Sequence, residues 1–353
     1  AFNYLPAKSV LKDANGKVIG ALLHDVMTGE EHKVKAKVVV SATGAWADAL
    51  RPSTERAQKI RPLRGSHLIF PAWRLPVAQA VSLMHPRDGR PVFVFPWEGV
   101  SLVGTTDVDH GKDLQQEAAI TKQEADYLME ALHFQFPSLK LTLADATASY
   151  AGVRPVVDTG ALDPSKEGRD HVVWQENGML TVTGGKLTTF RAIALDALHH
   201  VQRLMPEWHA DLSPRAIFSA SPALAWGVTL SSGQRERLQG RYGRFAKSVV
   251  DMAQASVETP ASHNEFESVG GSEYIWAELR WMARSEAVQK LEDLMLRRSR
   301  LGLLLKEGGR AELPRLAAIC LQELGWDAAR WQQEVQEYWQ LWQRNYSVPA
   351  ELN

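Results

Sequence analysis

One segment of the chain has the pattern of a strand, a glycine turn and a helix in direct succession. Residues 179–183 (MLTVT) have strand-like composition, residues 184–189 (GGKLTT) follow, and apolar side chains then recur at helical spacing as far as Met205. The first N–H groups of a helix lack acceptors within the helix, and the helix dipole adds partial positive charge there. Lys186 contributes a full charge at the same terminus. The pattern therefore predicts an α/β unit whose turn attracts negative charge.

A second segment, residues 38–43 (VVVSAT), is a continuous apolar run that ends at Gly44. Such runs are typical of strands buried on both faces, as in a parallel sheet. Ligands of these sheets bind beyond the carboxyl ends of the strands. Shorter strands joined by turns are predicted upstream, at residues 7–11, 18–24 and 32–37.

The sequence pattern predicts hairpins in the middle of the chain and helices in its last part. The dipeptide Asn177-Gly178 is a strong hairpin signal, and one helix is predicted at residues 121–136. Beyond Ser232 the pattern is helical, and the tryptophans there fall on one helix face, which indicates a packed core. We expect an α/β (α+β) protein with a partial FAD-type doubly wound domain, an antiparallel-sheet domain and an all-α domain. The expected boundaries are residues 1–50, 51–183, 184–206 (a helix returning to the first domain) and 207–353.

Composition excludes several classes of protein. A net charge of −1 and a pI near 6.9 argue against a nucleic-acid binder. The single cysteine, Cys320, lies in an apolar stretch and predicts a buried, inert thiol, and no metal-ligand spacing is present. No apolar run approaches the roughly 20 residues that span a bilayer.

Four stretches join a backbone turn to polar side chains, and a fifth, VGTTD, is weaker. They are SATGAW (41–46), RGSH (64–67), YAGVRP (150–155), GGKLTT (184–189) and VGTTD (103–107). Each has a structural alternative. His67 fits a structural histidine, and Arg154 fits an ion pair with Asp158 or Asp163. Lys186 is harder to explain structurally, because a cation at the positive end of a helix is unfavourable without a nearby anion.

In this order and spacing, these stretches resemble the FAD-dependent glycerol-3-phosphate dehydrogenases of the glycine/D-amino-acid oxidase superfamily. The matching motifs are RGSHLIFP, VFVFPWEGVSLVGTTDVDH, YAGVRPVV, GRDH and TVTGGKLTTFR. Residues 274–305 resemble the family's C-terminal domain, and the similarity covers most of residues 7–345.

The resemblance implies a role for each candidate residue. Arg154 is expected at the reacting oxygen of the substrate, Arg169 as a phosphate clamp, and His67 as the general base, since imidazole titrates near neutral pH. Lys186 is expected to stabilise the charge that develops on the flavin. The residues expected to bind FAD are Ala42, Thr43, Gly44, Trp46, Gly184, Gly185, Lys186, Leu187 and Thr188.

The implied reaction is oxidation of sn-glycerol 3-phosphate to dihydroxyacetone phosphate by hydride transfer to FAD, with quinone as electron acceptor. The implied location is the cytoplasmic face of the inner membrane, bound peripherally, and a homodimer is compatible with the resemblance. Three alternatives stay open: a glycerol-3-phosphate oxidase, an amine oxidase of the same superfamily, and a non-catalytic fragment that acts as an interaction module.

One family motif is absent from the sequence. The family opens with a G-x-G-x-x-G turn that binds the FAD pyrophosphate, and no such pattern occurs here. We therefore expect that a leading segment is missing and that the chain alone binds FAD weakly or not at all.

Overall fold

The computed structural model describes residues 1–51, 59–158, 160, 168, 170–213, 215–218, 220, 223–256 and 264–349. The chain divides into two compact units. The first comprises residues 1–65, 107–118 and 152–215, and the second comprises residues 66–106, 119–151 and 216–353.

The strands and helices are numbered in chain order. The strands are β1 (Ala7–Lys12), β2 (Val18–His24), β3 (Glu31–Lys35), β4 (Val39–Ser41), β5 (Ile60–Pro71), β6 (Val81–Met84), β7 (Pro91–Trp97), β8 (Val100–Gly104), β9 (Val108–Asp109), β10 (Ala148–Val157), β11 (His171–Glu176) and β12 (Met179–Gly184). The α-helices are α1 (Ala47–Leu50), α2 (Lys122–Gln135), α3 (Phe190–Leu204), α4 (Ser232–Tyr242), α5 (Ala246–Ser256), α6 (Trp276–Ser285), α7 (Leu301–Leu304), α8 (Leu313–Leu324) and α9 (Ala328–Asn345).

The first unit contains two small sheets. Strands β1, β2 and β3 form an antiparallel sheet, and the second sheet has the order β11-β12-β4. The hairpin between β11 and β12 turns at Asn177 and Gly178, whose φ angles are 49° and 83°. Both angles are positive, as a type I′ hairpin turn requires, so the hairpin predicted from this dipeptide is confirmed.

Strand β4 is parallel to β12, as its apolar sequence predicted, but it is not buried on both faces. Val40 pairs with Leu180 in this ladder and is 45% exposed. The prediction of a doubly buried strand was wrong because an apolar run reports only which side chains favour burial, and cannot show which neighbours cover them.

Strands β6, β7 and β8 and residues 66–71 of β5 form most of the sheet of the second unit, and helix α2 packs against it. Strand β8 lies between β5 and β7, and β6 pairs with the other side of β7. Helix α2 begins with a capping box, in which the Thr121 side chain accepts from the Glu124 N–H and the Glu124 carboxylate accepts from the Thr121 N–H. Its buried Leu128 and Leu132 pack against the sheet in one apolar cluster.

The helices beyond residue 230 share the largest apolar core of the second unit. Tyr338 and Trp342 of α9 pack in it, as the spacing of aromatic residues predicted, and the Trp342 indole donates to the Gly302 carbonyl at 2.7 Å. Cys320 of α8 is fully buried, and burial raises the pKa of its thiol to about 12. The mixed α/β architecture with a helical C-terminal part is therefore as predicted.

Candidate functional site

Two of the predicted cofactor stretches leave the same edge of one sheet. In the parallel ladder between β4 and β12, Val39 lies beside Met179 and Ser41 lies beside Thr181. Parallel strands end at the same edge, so residues 42–46 and 184–188 both begin there. Sequence separation conceals this proximity, since about 140 residues lie between the two stretches.

Both stretches turn through glycine in the left-handed region. Gly44 has φ of 58°, and Gly184 and Gly185 have φ of 75° and 77°. A Cβ atom on Gly184 would lie 2.5 Å from the carbonyl oxygen of Asp170. One on Gly185 would lie 2.5 Å from the Ile193 Cδ1 atom. Only glycine combines this backbone geometry with this packing, so the paired glycines are required by the turn itself.

The residues that follow the glycines are exposed at the start of a helical segment. Lys186 precedes a short 3₁₀ turn, residues 187–189, which leads directly into α3. Lys186 is exposed, and the Leu187 side chain is 88% exposed. The first N–H groups of a helical segment have no acceptor within the helix, so Leu187 and Thr188 present donors beside a cationic side chain. This donor set suits an electron-rich or anionic group.

Residues 41–46 form hydrogen bonds among themselves at the same edge of the sheet. The hydroxyls of Ser41 and Thr43 lie 3.1 Å apart, and the Thr43 carbonyl accepts from the Trp46 N–H at 3.1 Å. Ala42 and Trp46 are both exposed, and the Trp46 side chain is 46% exposed. The edge is therefore open at both predicted cofactor stretches.

A hydrogen bond connects β11 to α3 beside the glycine turn. His171 at the start of β11 contacts Asp196 of α3, with 3.0 Å between Nε2 and Oδ2. His171 also lies beside Gly184 in the β11–β12 ladder. The contact was not predicted from sequence, because the GRDH motif that contains His171 gives no indication of its partner 25 residues later.

Arg154, the predicted substrate arginine, is held by a buried carboxylate in the first unit. Its Nη1 atom donates to Asp107 Oδ1 at 2.9 Å, and the Asp107 side chain is 2% exposed while the Arg154 side chain is 34% exposed. The partner expected from sequence was Asp158 or Asp163. The structure shows Asp107 instead, and Asp163 lies outside the described residues.

His67, the predicted base, belongs to the second unit and is packed on two sides. It lies opposite Gly104 in the β5–β8 ladder, and a Cβ atom on Gly104 would lie 2.1 Å from His67 Cδ2. The imidazole stacks on Tyr150, with 4.5 Å between ring centroids and 6° between ring planes. Burial raises the pKa of the Tyr150 phenol. The imidazole therefore occupies the space that a side chain at position 104 would fill.

The sequence analysis missed a buried carboxylate, Glu124, which bonds to Ser66, the residue before His67. Glu124 Oε1 accepts hydrogen bonds of 2.8 Å from the hydroxyls of both Ser66 and Thr106. Thr121-x-x-Glu124 is recognisable as a capping box, but these contacts with β5 and the VGTTD turn span 58 and 18 residues.

Arg169, the predicted phosphate clamp, lies outside the described residues, so the structure gives it no position.

The chain matches two family models. Residues 1–191 match the FAD dependent oxidoreductase family, and residues 194–331 match the C-terminal domain of alpha-glycerophosphate oxidase. The aerobic glycerol-3-phosphate dehydrogenase of Bacillus subtilis (strain 168) is 31% identical, over 84% of this chain and 56% of that protein. The enzyme of the same name from Staphylococcus aureus (strain USA300) is 29% identical with the same coverage. The chain thus spans little more than half the length of these relatives.

A solved structure shows the same fold. The glycerol-3-phosphate dehydrogenase from Bacillus halodurans complexed with FAD aligns with a TM-score of 0.73 and 24% sequence identity, over 100% of this chain and 71% of that chain.

Proposed function

This chain belongs to the family of FAD-dependent oxidoreductases, and on that premise we propose that it oxidises sn-glycerol 3-phosphate to dihydroxyacetone phosphate by hydride transfer to FAD. The observation that carries the proposal is the sheet edge at which residues 42–46 and 184–188 come together. Support for the substrate comes from the match of residues 194–331 to a domain of alpha-glycerophosphate oxidase and from the names of the relatives.

We assign the cofactor contacts to the two turns of this edge. FAD, when bound, supplies the isoalloxazine ring that accepts the hydride. The N–H groups of Leu187 and Thr188 donate to its electron-rich edge, and the ammonium of Lys186 stabilises negative charge there. Residues 42–44 and Trp46 supply the second set of contacts. The donors fit this role because they are exposed, belong to one turn and carry net positive charge.

The substrate contacts are assigned to two arginines and a histidine. Arg154 binds the reacting oxygen, where a guanidinium stabilises alkoxide and carbonyl alike. Arg169 binds the phosphate, since its planar fork matches a phosphate dianion. His67 accepts the hydroxyl proton as the hydride leaves the carbon, so the substrate loses one proton and one hydride in total.

Two electron acceptors are consistent with the reaction. We propose quinone, with the protein bound peripherally to the cytoplasmic face of the inner membrane and a homodimer as its assembly. Oxygen is the second candidate, because residues 194–331 match a domain named for an oxidase. No helix in the described part of the chain has the length and apolar character to cross a bilayer.

Arg169 offers a direct test of the substrate assignment. In the complete protein loaded with FAD, Arg169→Ala is expected to raise the KM for glycerol 3-phosphate by about 100-fold, the equivalent of one lost bidentate charged contact. The matched control is Arg203→Ala, an exposed arginine of α3, which should leave KM unchanged. An unchanged KM in Arg169→Ala removes this arginine from the substrate site. Turnover measured in parallel with a soluble quinone and with oxygen distinguishes the two acceptors.

A further inference from the structure

Residues 103–106 of the VGTTD turn pack against β5 within the second unit. The His67 imidazole packs directly against Gly104, where a Cβ atom would lie 2.1 Å from His67 Cδ2. Thr106 Oγ1 accepts from the Ser66 N–H at 2.9 Å, and the Thr106 N–H donates to the Ser66 carbonyl at 3.4 Å. The turn is therefore fastened to β5 through backbone and side chain.

A buried acid fixes the same turn from the other side. Glu124 is 4% exposed, and one of its oxygens accepts from both Thr106 and Ser66 at 2.8 Å. The other oxygen accepts from the N–H and the hydroxyl of Thr121, at 3.0 and 2.8 Å. A buried carboxylate is costly unless it is hydrogen-bonded, and these four donors meet that requirement. The backbone immediately before Asp107 is thus held by a satisfied polar network.

Asp107, the last residue of this turn, contacts Arg154. Its side chain is 2% exposed, whereas that of Arg154 is 34% exposed, so the acid lies on the inner side of the pair. The bond uses Arg154 Nη1. A guanidinium has five N–H donors in a fixed plane, so a contact at one end sets the direction in which the others point. The geometry therefore allows one buried acid to orient the arginine toward a ligand.

We propose that Asp107 is a positioning residue, which holds the Arg154 guanidinium in the orientation that binds the substrate's reacting oxygen. This inference rests on the proposed function. Asp107 itself acts only through Arg154, and its buried negative charge also offsets the charge of the guanidinium while the substrate is absent. The VGTTD motif is thereby assigned a role beyond forming a turn.

The kinetic test uses the complete protein with FAD bound. Asp107→Asn keeps the side-chain shape and removes the charge, and it is expected to lower kcat/KM by about 10- to 100-fold, the equivalent of one charge-assisted hydrogen bond. In an Arg154→Gln background the same change is expected to cost less than about twofold, since the group that Asp107 positions is already lost. If the double variant loses kcat/KM by the product of the two single losses, the proposal is overturned.

A matched control lies two residues along the chain. Asp109 forms a comparable ion pair with Arg61, at 2.6 Å, but its side chain is 57% exposed and it does not contact Arg154. Asp109→Asn is expected to change kcat/KM by less than about twofold. If Asp107→Asn behaves as Asp109→Asn does, Asp107 is not a positioning residue.

A measurement without substrate separates this inference from the proposed function. The Nη1 hydrogens of Arg154, which bond to Asp107, are followed by NMR in the full chain, where their exchange with water is expected to be at least about tenfold faster in Asp107→Asn than in the unsubstituted chain or Asp109→Asn. An unchanged exchange rate overturns the positioning role whatever the kinetics. If the unsubstituted protein does not oxidise glycerol 3-phosphate while exchange responds as expected, the proposed function fails and the orientation of Arg154 by Asp107 stands.

Discussion

Replacing Gly104 with alanine tests whether the packing around His67 matters for catalysis. The new Cβ atom would lie 2.1 Å from His67 Cδ2, whereas ordinary contact begins at 3.4 Å. The imidazole must therefore move by about 1.3 Å (3.4 − 2.1), unless the strand yields instead. The ring cannot move without changing its stacking on Tyr150.

The expected cost is large for turnover and small for folding. A displacement of about 1 Å in a group that takes part in the chemistry costs on the order of 100-fold in rate. Loss of one stacked ring pair costs only about 0.5–1.5 kcal/mol of unfolding free energy. Gly104→Ala should therefore lower kcat by about 100-fold while the protein stays folded.

The assay compares kcat and urea unfolding for Gly104→Ala and for Gly111→Ala. Gly111 is the control because a Cβ atom there meets nothing within 4 Å. If both variants turn over at the rate of the unsubstituted protein, and a crystal structure of Gly104→Ala shows His67 displaced, His67 is not the base. If the imidazole has not moved, the packing argument itself is refuted.

Two further predictions concern the two units separately. Glu176 accepts from Arg51 at 2.7 Å, and this contact lowers the pKa of the carboxyl. A carboxyl whose pKa is lowered by folding stabilises the folded state at pH above its unfolded-state pKa, and this stabilisation is lost as the pH falls through the folded-state pKa. Glu176→Gln should therefore lower the free energy of unfolding by about 1–3 kcal/mol at pH 7 and leave it unchanged at strongly acidic pH. Urea unfolding at both pH values measures the difference. Cys320, buried with a pKa of about 12, should react with a thiol reagent only in denaturant; fast reaction in the native protein would contradict the burial.

Local features of the fold could be predicted because their causes are local. The hairpin at Asn177 and Gly178 follows from two residues that accept positive φ. Helix α3 follows from apolar spacing after the glycines, and its predicted and observed ends differ by one residue. Helix α2 was predicted at residues 121–136 and forms at Lys122–Gln135.

Contacts between distant segments could not be predicted in the same way. Arg154 pairs with Asp107, which lies 47 residues earlier, although the nearby Asp158 was an equally reasonable partner from sequence. Glu124 reaches Ser66 across 58 residues, and the exposure of Val40 depends on which strands neighbour β4. The resemblance to a family indicated which stretches of sequence belong to the predicted site. It did not indicate which residues hold those stretches in position.

In the proposed site, the cationic turn at residues 184–188 receives the electron-rich edge of the flavin. The most direct measurement is the two-electron midpoint potential of FAD in the complete protein, compared between the unsubstituted form, Lys186→Met and the exposed control Lys35→Met. Loss of the Lys186 charge is predicted to make the potential more negative by about 30–60 mV, because about 30 mV corresponds to 1.4 kcal/mol of charge stabilisation for two electrons. A potential that stays the same in Lys186→Met and Lys35→Met would contradict the account.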